Sequence, residues 1–164
     1  MTLQISFINH LKALKFHLMG TSFMLVVLYF LNFDKIFFIV FISTWILYTL
    51  PTLYLHLRYY FINKGIEITI TNDELILRFK NKEDAYVLNK KEIEKIVLCR
   101  SASMDKGGMP ISSLETYQYI KVFSKNESVV RITNLMASNL DEVKNQFTGI
   151  RFVREKGFFC LFRI

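Results

Sequence analysis

Tyr117, Tyr119 and Lys121 recur at alternate positions of one strand-like segment, and Arg131 and Thr133 do the same on the next. A period of two places each set on a single face of its strand. Aromatic rings beside a lysine and an arginine are suited to stacking a base and neutralising a phosphate. These five residues form the candidate ligand-binding set. The competing reading is a wet outer face, with Ile120, Val122, Val130 and Ile132 turned to the core. A second candidate is the loop 100–108, Arg100-Ser101-Ala102-Ser103-Met104-Asp105-Lys106-Gly107-Gly108. Its hydroxyls, cations and glycines suit backbone-amide capture of a phosphate, and equally an ordinary flexible connection.

Enzyme chemistry finds little to use. There is no Walker motif, no dinucleotide fingerprint and no Cys/His spacing suited to zinc. His10, His17 and His56 all fall in the first third, so the rest of the chain has no histidine for a Ser-His-Asp or Cys-His arrangement. Its carboxylates sit mainly in turns and on polar strand faces. A non-enzyme is expected, with no cofactor and no metal. Cys99 and Cys160 each lie in apolar strand-like runs and read as buried small hydrophobes.

Two uncharged apolar runs, 18–33 and 36–57, must position whatever follows them; only Asp34 and Lys35 separate them. A span needs about 20 apolar residues. The second run meets that length. The first reaches it if Leu11, Leu14 and Phe16 join it, with Lys12 and Lys15 snorkelling. Residues 3–18 read as an amphipathic entry helix. Pro51 is a candidate kink, and His56 an interfacial polar group. Of 21 Lys/Arg and 14 Asp/Glu, only Lys12, Lys15, Lys35 and Asp34 precede Arg58, so five of the seven net positive charges lie beyond the apolar runs. Basic residues flank the hairpin's outer ends, which puts both termini in the cytoplasm. A mildly basic domain there meets anionic lipid, or a phosphate-bearing ligand, favourably.

From Gly65 the hydrophobic period becomes two. Strands are expected over 66–70, 75–80, 85–88, 93–100, 117–123, 128–133, 150–153 and 158–164. The stretch 101–113 reads as a long loop. Ser138 opens a short helix to Phe147, and Arg154-Glu155-Lys156-Gly157 reads as a hairpin turn. The expected fold is a membrane α-helical hairpin over 1–60 plus an all-β domain over 61–164. The latter is expected to be a small antiparallel β-barrel of about eight strands with one short helix.

A two-span hairpin followed directly by a compact β-domain resembles the two-transmembrane β-barrel effectors of bacterial CBASS-type antiphage defence. That resemblance implies a barrel that senses a cyclic di- or trinucleotide second messenger. It also implies residence in the bacterial inner membrane and a hairpin that homo-oligomerises to disrupt the lipid bilayer, with no DNA or RNA polymer as partner. Close helix packing would then use Gly20, Thr21, Ser22, Ser43 and Thr44. The segment Gly65-Ile66-Glu67-Ile68-Thr69-Ile70-Thr71-Asn72-Asp73-Glu74-Leu75, with Lys91-Glu92-Ile93-Glu94-Lys95-Ile96, is similar to bacterial pleckstrin-homology-like (PH-like) and YcxB-like membrane proteins. This second resemblance implies a tethered interaction module, or a toxin-immunity protein, with no nucleotide ligand. Such domains usually close with a C-terminal helix.

Overall fold

The computed structural model describes residues 1–31, 35–80, 84–110, 112–126, 129–157 and Cys160. The expected strand 158–164 lies outside them except for Cys160, as do Asp34 of the hairpin turn and Ser128 at the start of its expected strand.

The chain opens with a two-residue strand, β1 (Thr2–Leu3), and not with an amphipathic helix. Ser6 then caps α1 (Phe7–Phe30), its hydroxyl accepting from the Asn9 amide. A second helix, α2 (Lys35–Asn63), returns antiparallel to it. It runs unbroken through Pro51, and the Thr52 hydroxyl bonds the Tyr48 carbonyl one turn earlier. The two helices meet through Thr21, which accepts from the Trp45 indole at 3.2 Å, and through His17 stacked on Tyr48. Gly20 lies against the Tyr48 ring. Gly20 and Thr21, expected to join neighbouring copies, thus pack inside one hairpin.

Gly65, at φ +72°, turns the chain into β2 (Ile66–Ile70). Two more strands follow, β3 (Glu74–Phe79) and β4 (Ala85–Asn89). A 3-10 turn at Lys90–Glu92 then carries the chain to β5 (Ile93–Ser101) in a second sheet. The stretch expected as loop contains a short helix, α3 (Ala102–Asp105), and a 3-10 turn, Ser113–Thr116. Next come β6 (Tyr119–Ser124), β7 (Val129–Thr133), α4 (Leu140–Asn145) and β8 (Arg151–Gly157). Asn139, not Ser138, caps α4 by accepting from the Asp141 amide.

The strands form two four-stranded sheets, ordered β1-β2-β3-β4 and β7-β6-β5-β8. The expected closed antiparallel barrel is therefore corrected: among the described residues the sheets face each other and do not close. Even strand spacing suits either architecture, and the turn at Lys90–Glu92 decides between them by sending β5 away from β4. The Arg154–Gly157 hairpin turn is corrected too, because those residues continue β8. This strand pairs parallel with β5 from Lys95↔Arg151 to Ser101↔Gly157. Between the sheets lies an apolar core that includes Ile68, Leu75, Ile96, Ile120 and Ile132, closed by Leu140, Val143 and Phe147.

Candidate functional site

The outer face of the second sheet is where the helices dock. Odd-numbered residues of β6 point to this side, since Ile120 and Val122 point to the inter-sheet core. Tyr119 pairs with Thr133, and Lys121 with Arg131, as adjacent cross-strand partners. Four of the five candidate residues thus share one face. Tyr117 lies just before β6 and joins Tyr119 in a cluster with Leu55, Tyr59, Cys99, Leu135 and Cys160. That face is not open. Tyr117, Tyr119 and Thr133 are fully buried, and Lys121 and Arg131 are half-buried. Neither tyrosine ring is left bare for a base to stack on.

What covers them is a polar stripe on α2. Thr52, His56, Tyr59 and Asn63 follow at intervals of four, three and four, which is one face of a helix. Each finds a partner on the sheet side. Thr52 and Ser113 share a hydrogen bond of 2.7 Å. His56 Nδ1 pairs with the Tyr117 hydroxyl at 2.8 Å, and its Nε2 pairs with His10 Nδ1 at 2.8 Å. The Tyr59 hydroxyl donates to the Cys160 carbonyl at 2.8 Å. Asn63 donates to the Arg131 carbonyl at 2.8 Å. On α1, Asn9 donates to the Leu135 carbonyl, and the Ala13 carbonyl accepts from the Thr116 hydroxyl. The sequence signal for this joint was those polar side chains at helical spacing inside an apolar helix. His56, expected as an interfacial polar group, is instead a buried member of this joint.

Burial raises the pKa of both Tyr117 and Tyr119 above the ordinary phenol range, so both stay neutral hydrogen-bonding groups. Cys99 and Cys160 are buried free thiols. A hydrogen bond from Cys160 holds Cys99 below its usual range and pushes Cys160 up. Replacing Tyr117 by phenylalanine keeps the ring contact with Tyr59, at 5.1 Å, but strands His56 Nδ1. We expect a loss of about 1–3 kcal/mol in denaturant unfolding of the micelle-bound chain. An unchanged midpoint would remove the His56–Tyr117 link from the joint.

Arg100, Ser103 and Asp105 of the loop 100–108 are each held by partners elsewhere in the domain. Arg100 donates to Gln118 and to Asp141. Asp105 receives Lys156 at 3.1 Å and Arg154 at 3.4 Å. Ser103 donates to Glu115. The Lys156 hydrogen bond, then the nearby Arg154 and Arg100, hold the Asp105 carboxyl below its ordinary range. Its contribution is therefore present above the ordinary carboxylate pKa of about 4 and is lost as pH falls through the lower folded value. Asp105→Asn should flatten the acid limb of the stability–pH curve and leave its shape above neutrality unchanged. An acid limb identical to the parent's would contradict that role.

A family model described as a PH domain matches residues 3–143. The chain belongs to the PH-domain family. No curated protein matches it. The match carries the PH-like resemblance and nothing of the antiphage-effector one. In this PH domain the matched span runs from β1 through α1 and α2 to α4, so the helices lie inside the unit. Strand β1 pairs with β2 across them, Thr2 opposite Thr69 and Leu3 opposite Ile68.

The PH domain's helices are inside-out by the standard of a water-soluble protein. α1 buries Asn9, Ala13, His17 and Leu28, and α2 buries Thr49, Thr52, Leu55, His56, Tyr59 and Asn63, so most of the buried side chains carry a polar group. Elsewhere they expose Phe23, Leu47, Leu50 and Leu53. Both helices are long and apolar enough to cross a membrane. Only 17% and 11% of their most apolar stretches are buried, whereas a soluble protein's core helix would be mostly buried.

Proposed function

We propose that this chain is a membrane-tethered PH-type interaction module. Its hairpin inserts into the lipid bilayer, and its β-sandwich is held at the cytoplasmic surface to engage a partner protein. The observation that carries the reading is the helix pattern, hydrogen-bonded toward the domain and apolar outward, within a PH-family unit. Apolar helix faces of this extent are stable only in an apolar solvent. The hydrogen-bonded joint supports a domain held in a fixed attitude and not swinging on a linker. Burial of Tyr117 and Tyr119 weighs against the cyclic-nucleotide reading, as does the engagement of Arg100 and Asp105 in ion pairs. A bacterial inner membrane with both termini cytoplasmic fits Lys12, Lys15 and Arg58 flanking the apolar segments.

The test has two arms on the full chain. Expressed in bacterial cells, it should remain in the membrane fraction through an alkaline carbonate wash. Titrated in lipid nanodiscs with cyclic di- and trinucleotides, it should give no saturable heat. Release by carbonate overturns the tether; a saturable heat overturns the interaction module in favour of a nucleotide sensor.

A further inference from the structure

The hairpin clears the domain by less than a bilayer. Residues Lys35–Tyr48 of α2 are exposed or half-buried, and burial begins at Thr49. Fourteen residues at 1.5 Å rise extend only about 21 Å, against a hydrocarbon core of about 30 Å. Counted from Lys35, about 20 residues are needed, which reaches Tyr54. The uncharged stretch of α2 supports that depth, because Leu50, Leu53 and Leu57 remain exposed beside the docked domain and no charged residue falls between Lys35 and Arg58.

The domain's bilayer-facing edge lies at that same level. Ser113 touches Thr52, and Thr116 touches the Ala13 carbonyl. Residues Ala102–Pro110, which follow β5, approach α1 at this edge. Met104 and Pro110 line a crevice of about 180 Å³ with Lys12 and Phe16 of α1. At its tip Met109 is 83% exposed, and Lys106 and Lys12 are exposed nearby in the chain and on α1. An extended apolar side chain at a bilayer surface, with cations behind it, suits acyl chains below and lipid phosphates above.

We propose that the segment from Ala102 to Pro110 is a lipid-contact surface sunk into the headgroup layer, with Met109 among the upper acyl chains. The domain is then seated in the leaflet and not suspended above it. This inference rests on the reading that the hairpin inserts.

The test uses the full chain in vesicles of phosphatidylethanolamine and phosphatidylglycerol. Met109→Cys, Lys125→Cys and Ile39→Cys each carry an environment-sensitive fluorophore, with the unsubstituted chain as the blank for its buried native thiols. Lys125 lies at the far end of β6, and Ile39 near the hairpin tip. Expected are a blue-shifted Met109 label that loses emission to nitroxides high on the acyl chain, an aqueous Lys125 label, and an Ile39 label quenched only by deep nitroxides. A Met109 label as aqueous as that at Lys125, beside a deep Ile39 label, overturns the lipid contact and leaves the tether standing. Aqueous labels at both Met109 and Ile39 overturn both. Met109 emission that follows the protein-to-lipid ratio but ignores the nitroxides assigns the surface to a second copy of the chain, and also overturns it.

Discussion

Tyr59→Ala is expected to destabilise docking of the hairpin by about 3–5 kcal/mol, the range for truncating a large buried aromatic. Tyr59 is wholly buried, and its ring packs edge-on against Tyr117 at 5.1 Å and Tyr119 at 6.2 Å. It closes the cluster that hides Cys99 and Cys160. Opening the joint should expose those thiols, so their labelling under native conditions is a direct reading. Each 1.4 kcal/mol is tenfold in an equilibrium, so labelling should accelerate by roughly 100-fold or more. Tyr59→Phe separates packing from hydrogen bonding. It keeps the ring and loses the bond to the Cys160 carbonyl, about 1 kcal/mol, and should accelerate labelling by roughly fivefold. If the two variants label equally fast, the aromatic packing is not what holds the joint.

The second large effect concerns insertion. Leu47 is 74% exposed on α2 and lies near the middle of the proposed span. An arginine at the centre of a membrane helix costs about 2.5–3.5 kcal/mol on insertion scales. Leu47→Arg should therefore shift most of the chain out of the carbonate-resistant fraction. Phe61→Arg makes the same chemical change at a position 63% exposed, but beyond the proposed hydrocarbon depth and between Arg58 and Lys64. It should leave the fraction unaltered. Equal losses for both would mean that general helix damage, and not depth in a bilayer, sets the outcome.

Much of this architecture is legible in the sequence because it rests on local periodicity. The alternation in Ile66–Ile70 and Glu74–Phe79 sets their faces, and the same rule places Tyr119 with Lys121 and Arg131 with Thr133. Features set by distant partners are not legible. Strand β1 is two residues long and exists through its ladder with β2, over sixty residues away. Strand β8 carries Arg154-Glu155-Lys156-Gly157, which reads as a turn, yet β5 supplies its backbone bonds whatever the side chains. The candidate face illustrates the same limit. Periodicity shows which residues share it and not what lies on top of it. Only the stripe of Thr52, His56, Tyr59 and Asn63 hinted that α2 comes back to cover Tyr117 and Tyr119.

In the proposed arrangement one chain is docked and membrane-resident at the same time. Thr52 and Ser113, whose hydroxyls lie 2.7 Å apart, offer the direct measurement. The chain carrying both Thr52→Cys and Ser113→Cys would be oxidised in intact membranes, washed with alkaline carbonate, and resolved with and without reductant. The carbonate-resistant chain should carry the reducible Thr52–Ser113 crosslink, with neither single substitution giving it. A membrane-resident chain that stays uncrosslinked, or a crosslinked chain released by the wash, would contradict that arrangement.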